Sequence, residues 1–120
     1  MLVIADDSLA RAGLATLLTG QPGCVVVGQV ASGDDMSSAL ETYRPDAVVW
    51  DLGWDPAPAL ERLGGLRDWP LVALLPSNAH AAKAWAAGAR GLLLREADAA
   101  SLMAALSSVA RGLKIGRAHV

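Results

Sequence analysis

Five short apolar runs recur along the chain, and a segment with helical periodicity follows each of them. No other feature constrains the fold as strongly. The runs are Leu2–Ala5, Cys24–Val30, Ala47–Trp50, Leu71–Leu75 and Gly91–Leu94. Most are continuously apolar rather than alternating, which suits strands buried on both faces of a parallel sheet. Between them, Ser8–Leu18 sets Leu14, Leu17 and Leu18 on one helical face. Met36, Ala39, Leu40 and Tyr43 follow the i, i+3, i+4, i+7 rule. Ser32 and Asp35 have capping-box spacing before that helix, and Pro45 ends it. Ala57–Leu66, closed by Gly64 and Gly65, and Ala79–Ala87, closed by Gly88, read as two further helices. Asp98 caps a last helix that presents Leu102, Leu106 and Val109, and Gly112 closes it. Five βα units in series predict an α/β fold: a five-stranded parallel sheet with helices on both faces, joined by right-handed crossovers.

A chain of 120 residues is one domain's worth. With 53% hydrophobic and 18% charged residues it can fill a core, and disorder is excluded. The net charge of -2 and a pI near 5.5 leave no basic footprint for nucleic acid. The single cysteine, Cys24, excludes a disulfide framework and a cysteine zinc site, and reads as a small apolar filler. No apolar stretch reaches the ~18 residues of a membrane span. No basic segment precedes the first apolar run, so no signal peptide is expected and the expected compartment is the cytoplasm.

In such folds, ligands sit at the carboxyl ends of the strands. Asp6 and Asp7 follow the first run and Asp51 follows the third. Singly, Asp7 is an ordinary helix cap and Asp51 an ordinary strand end. Together, three carboxylates in one crevice repel one another unless a cation joins them, and oxygen ligands favour Mg²⁺. The same acids exclude a nucleotide-phosphate loop after the first strand.

Three stretches carry a resemblance: IADDS from Ile4 to Ser8, RPDAVVWD from Arg44 to Asp51, and AGARG from Ala87 to Gly91. As a set they resemble the receiver domain of two-component response regulators, whose second stretch reads RPDVVLLD. ADDSLARAGL from Ala5 to Leu14 is similar to the ADDHPLVREGL opening of the NarL/FixJ subfamily. The resemblance covers residues 1–113 and implies a flavodoxin-like (CheY-like) fold. It implies Asp51 as phosphoacceptor, Asp6 and Asp7 as the acidic pair, and Asp7, Asp51 and the Gly53 carbonyl as Mg²⁺ ligands. The implied partner is a histidine kinase. A homodimer and a LuxR-type DNA-binding domain beyond this segment are implied as well, with no membrane and no enzymatic role beyond autodephosphorylation.

The chain departs from that pattern at several places. Leu75, followed by Pro76, stands where the family ends its fourth strand in Thr or Ser; Ser77 is the hydroxyl nearest in sequence to replace it. Arg95 stands in place of the family lysine, and its planar fork is not equivalent to an ammonium. Leu92 replaces the switch aromatic, and the loop Gly53-Trp-Asp-Pro56 has its proline one place late. Two readings follow: an atypical but working receiver, or a degenerate receiver acting as a phosphorylation-independent dimerisation or interaction module. A haloacid dehalogenase-like phosphatase using Asp51 needs a second Asp two residues on, where this chain has Gly53.

Among the tryptophans, Trp50 reads as core, Trp54 as a loop residue that shields the crevice or packs half-exposed, and Trp69 and Trp85 as packing residues. His80 reads as a solvent-facing helix residue. Residues 115–120 continue neither the last helix nor the subfamily's linker. They read as a non-native tail, one translated frame of a sequencing-library adapter, with the C-terminal domain missing.

Overall fold

The computed structural model describes residues 1–33 and 35–112, with 35 and the pair 115–116 described through their backbone. In chain order the elements are β1 (Leu2–Ala5), α1 (Ser8–Thr19), β2 (Gly28–Val30), α2 (Asp35–Tyr43), β3 (Val48–Asp51), α3 (Ala57–Leu63), β4 (Leu71–Leu75), α4 (Ala81–Ala87), β5 (Gly91–Leu94), α5 (Ala99–Ala110) and β6 (Ile115–Gly116). Every neighbouring pair of strands is parallel, in the order β2-β1-β3-β4-β5-β6. The expected five-stranded parallel sheet is present, and the two-residue β6 extends it beside β5. Of the tail 115–120, residues 117–120 lie outside the described residues.

The pleat sorts each apolar run into two cores. Leu2, Ile4, Val48, Trp50, Ala73 and Leu75 face α2, α3 and α4, where Leu40 and Leu63 pack on them. Val3, Val49, Val72, Leu74 and Leu93 face α1 and α5, where Leu18, Leu102 and Leu106 complete the second core. Both faces of the sheet are therefore covered, which is why the strands read as unbroken apolar runs. Trp50 is fully buried, and Trp69 and Trp85 pack against the first core.

Local differences from the expected elements have local causes. The second run forms a strand only from Gly28. The backbone before it is spent on the chain start: the Met1 ammonium donates to the Val25 carbonyl at 2.7 Å, and the Val27 N–H donates to the Met1 carbonyl at 2.9 Å. Asp51 is the last residue of β3, the strand end expected for it. The helix expected over 57–66 tightens after Leu63 into a 3₁₀ turn at Gly64–Leu66, and the one expected from Ala79 begins as a 3₁₀ turn at Asn78–His80. The side chain of Asp35, on which the capping box depends, lies outside the described residues.

Helix ends supply two tests. Gly88 closes α4 with φ +113°, and a Cβ there would lie 3.0 Å from Arg67 Cγ. Gly88→Ala should cost about 1–2 kcal/mol of unfolding free energy, read by urea titration. Asp98 caps α5 by accepting the Ser101 N–H at 2.8 Å, a bond that holds its carboxyl below the ordinary aspartate pKa. A lowered pKa contributes stability above the ordinary value that is lost as pH falls through the lowered one. Thermal midpoints measured down through pH ~4 should therefore show a shallower acid decline in Asp98→Asn.

Candidate functional site

The chain order reverses at β1, with β2 on one side and β3 on the other, and this opens a crevice at the carboxyl ends of these strands. The register sets Ala5 beside Asp51, so the two residues after β1 reach the same crevice. It is shallow, about 40 Å³, and is lined by Asp6, Asp7, Asp51, Gly53 and Arg95.

Asp51 is carried into the site by Val48, Val49 and Trp50, all fully buried, and is itself only 9% exposed. Three groups hold it. The Gly53 N–H donates to Oδ1 at 2.9 Å, in a turn where Gly53 has φ +80°, a conformation costly for a residue with a Cβ. Arg95 Nη2 donates to Oδ2 at 3.0 Å, and Arg95 Nε lies 2.7 Å from Oδ1 as an ion pair. The guanidinium thus engages both carboxylate oxygens. Arg95 follows β5, and its N–H donates to the Leu75 carbonyl at 2.8 Å. Its Cζ stands 4.2 Å from the centroid of the Trp54 ring. Of the two expectations for Trp54, neither is met outright: its ring lies against Arg95 without lining the acid crevice, and the indole is 78% exposed.

Asp7 does two things. It caps α1 by accepting the Leu9 N–H at 3.0 Å, and it lines the crevice. Asp6 turns aside: its Oδ1 accepts both the N–H and the hydroxyl of Ser32, at 2.8 and 2.6 Å. Arg62 of α3 donates to that same hydroxyl at 2.9 Å. The sequence marks Ser32 only as a helix cap and does not mark Arg62 at all; neither is tied to Asp6 by spacing, since they lie 26 and more residues from it. Arg11 also went unread; it donates to the carbonyl of Ala5 at 2.6 Å and fixes α1 against the end of β1.

The structure places the expected acids and Ser77 differently. Among the described residues, no three His, Cys, Asp or Glu side chains stand close enough to hold a metal ion. The all-oxygen donor set of Asp7, Asp51 and Gly53 suits Mg²⁺ in chemistry; in this structure Asp6 is bonded to Ser32 and Asp51 is paired with Arg95. Ser77 is not brought to the crevice: it is exposed, and its hydroxyl accepts the Ala79 N–H at 3.3 Å as the cap of the 3₁₀ turn. Leu75 and Leu92 are buried and border a separate cavity of about 220 Å³, with Asn78 and Ser101 at its polar side.

No family model matches the chain. The chain is 30% identical over 118 residues to the nitrate/nitrite response regulator protein NarL of Escherichia coli, covering 93% of this chain and 55% of that protein. It is 29% identical to the transcriptional regulatory protein DegU of Brevibacillus brevis, over 93% of this chain and 50% of DegU. A crystal structure of a LuxR-family two-component response regulator from an Aurantimonas species superposes with a TM-score of 0.81 at 25% identity, covering 95% of this chain and 86% of that one. The chain is a response-regulator receiver domain of the NarL/FixJ type. It spans about half the length of the curated relatives it matches. Within this receiver, Arg95 occupies the end of β5 as the cation that faces the acids. Among its described residues no helix is long and apolar enough to cross a membrane.

The ion pair at the centre of this receiver gives a stability test. Arg95→Ala leaves a nearly buried carboxylate without its cation. It should lower the unfolding free energy by about 2 kcal/mol, less than the ~3–5 of a fully buried pair because the crevice is open to water. Asp51→Asn in the same chain should recover most of that loss, measured as a double-mutant cycle in urea.

Proposed function

We propose that this receiver accepts a phosphoryl group on Asp51 from a phosphohistidine of a histidine kinase, and that it is the regulatory half of a LuxR-type transcription factor. The observation that carries the reading is the inward placement of Arg95 on Asp51, with Leu75 kept out of the acid crevice. Arg95 turned to solvent and Leu75 filling the crevice would have favoured a degenerate domain.

The chain's own groups account for much of the chemistry. The Gly53 N–H fixes the rotation of the Asp51 carboxylate, leaving Oδ2 as the oxygen with the fewer bonds to protein. An Asp51 oxygen attacks phosphorus in line; the new P–O bond forms as the P–N bond to the donor imidazole breaks, and the imidazole keeps the electron pair. A divalent cation held by Asp7, Asp51 and the Gly53 carbonyl would neutralise the repulsion between the carboxylate and the incoming phosphoryl oxygens. Arg95 remains charged throughout, and its fork can pass from two carboxylate oxygens to phosphoryl oxygens. Asp6, tied to Ser32 and through it to Arg62, holds the loop before α2 against the site rather than reaching Asp51.

On this reading DNA is contacted only through a domain beyond this segment, since the receiver carries a net charge of -2. The protein acts in the cytoplasm as a phosphoryl acceptor and not as a turnover enzyme.

Acetyl phosphate with Mg²⁺ should give a single acid-stable, base-labile phosphoryl adduct by intact mass spectrometry, absent in Asp51→Asn. An unmodified wild-type chain at saturating donor, together with a dimer that forms without donor or metal, would instead establish the phosphorylation-independent module.

A further inference from the structure

Trp54 invites an explanation of its own. It is a large apolar side chain 78% exposed to water, in a loop, yet its ring lies against Arg95, the cation that pairs with Asp51. The indole also forms part of the wall of an open groove of about 360 Å³. That groove runs from Leu14 and Leu17 of α1 past Leu74 to Asp51 and Arg95.

We propose that Trp54 is a positioning residue that clamps the Arg95 guanidinium over Asp51, so that the acceptor is closed to a divalent cation until the indole lets the guanidinium go. The proposal rests on the reading of Asp51 as acceptor given above. The geometry is specific. Arg95 Nε lies against Oδ1 as an ion pair, Nη2 donates to Oδ2, and the Gly53 N–H donates to Oδ1. A cation that binds an Asp51 oxygen therefore has to displace the guanidinium. Arg95 Nε and Nη1 are both buried with no hydrogen-bond partner among the described residues, Nε meeting Oδ1 as an ion pair only, so the fork is held to Asp51 by a single hydrogen bond and by charge. The face that holds it is the indole, through a cation–π contact, and tryptophan gives the strongest such contact of the aromatic side chains. A lysine ammonium would touch one oxygen at a time and leave the other for metal; the planar fork with a ring behind it closes both.

The test is a Mn²⁺ titration at neutral pH followed by electron paramagnetic resonance, with Asp51→Asn as the baseline that identifies binding at this site. Trp54→Ala should tighten Mn²⁺ binding about two- to fivefold, the size of a partly exposed cation–π contact, and Trp54→Phe should fall between it and wild type. Arg95→Ala should tighten binding further, and adding Trp54→Ala to Arg95→Ala should change nothing more, because the indole acts only through the guanidinium. Trp54 is exposed, so its removal leaves both cores intact; the phenylalanine variant keeps the test decisive where alanine disturbs the loop. Unchanged or weaker Mn²⁺ binding in both Trp54 variants overturns the clamp. So does an equal Trp54 effect with Arg95 absent, and so does the lack of any Asp51-dependent binding. The phosphoacceptor reading is judged separately, by acetyl phosphate labelling of the same proteins: labelling that fails in wild type and variants alike, while the Mn²⁺ pattern holds, ends that reading and leaves the clamp.

Discussion

A carboxylate carried to the end of a fully buried strand has to find cationic company, and the site is organised around that need. Val48, Val49 and Trp50 hold β3 between two apolar cores, so Asp51 cannot retreat into water without breaking the sheet. An isolated ionised carboxylate there would bear a heavy desolvation cost. Two further carboxylates enter the same crevice from β1. Arg95 relieves the repulsion, and the β4–β5 ladder, continued by the bond from the Arg95 N–H to the Leu75 carbonyl, delivers it to Asp51. The parallel order of the strands is what lets residues 44 positions apart meet as an ion pair.

The fold was legible because its signal is periodic and local. Each buried strand had to be apolar on both faces, and each helix had to bury one stripe, so runs and stripes alternate in the sequence as they do in space. What was not legible depended on competing partners. Cys24–Val27 has strand composition, but its backbone groups are taken by the chain start, and Val25 is left exposed. The 3₁₀ turns before α4 and after α3 arise where the chain must leave one layer and enter the next, which no hydrophobic period records.

The site divides in the same way. Asp6, Asp7 and Asp51 could be read because strand ends in a parallel sheet share one edge, whatever the loops between them do. The meaning of each acid could not. Asp7 faces the crevice while capping α1, Asp6 is drawn off by Ser32, and Asp51 is enclosed by Arg95 and Gly53. Those choices are made by backbone N–H groups and by the side chains of Ser32 and Arg95, and nothing in the spacing of Ser32 or Arg62 marks them as neighbours of an acid.

The apolar substitutions at the ends of β4 and β5 bear on how such a receiver could respond. Leu75 and Leu92 are buried beside a cavity of about 220 Å³, and among the described residues no hydroxyl side chain lines the acid crevice. A phosphoryl group on Asp51 therefore meets no strand-end hydroxyl on β4 to pull toward it. The group that does meet it is Arg95, and the group that Arg95 touches on its other side is Trp54. A domain shifts between two states only through contacts that differ between them. On the phosphoacceptor reading proposed above, the contacts that a new oxyanion could change are the guanidinium's, and these adjoin the indole and the open groove beside α1, whose Leu14 packs against the second core.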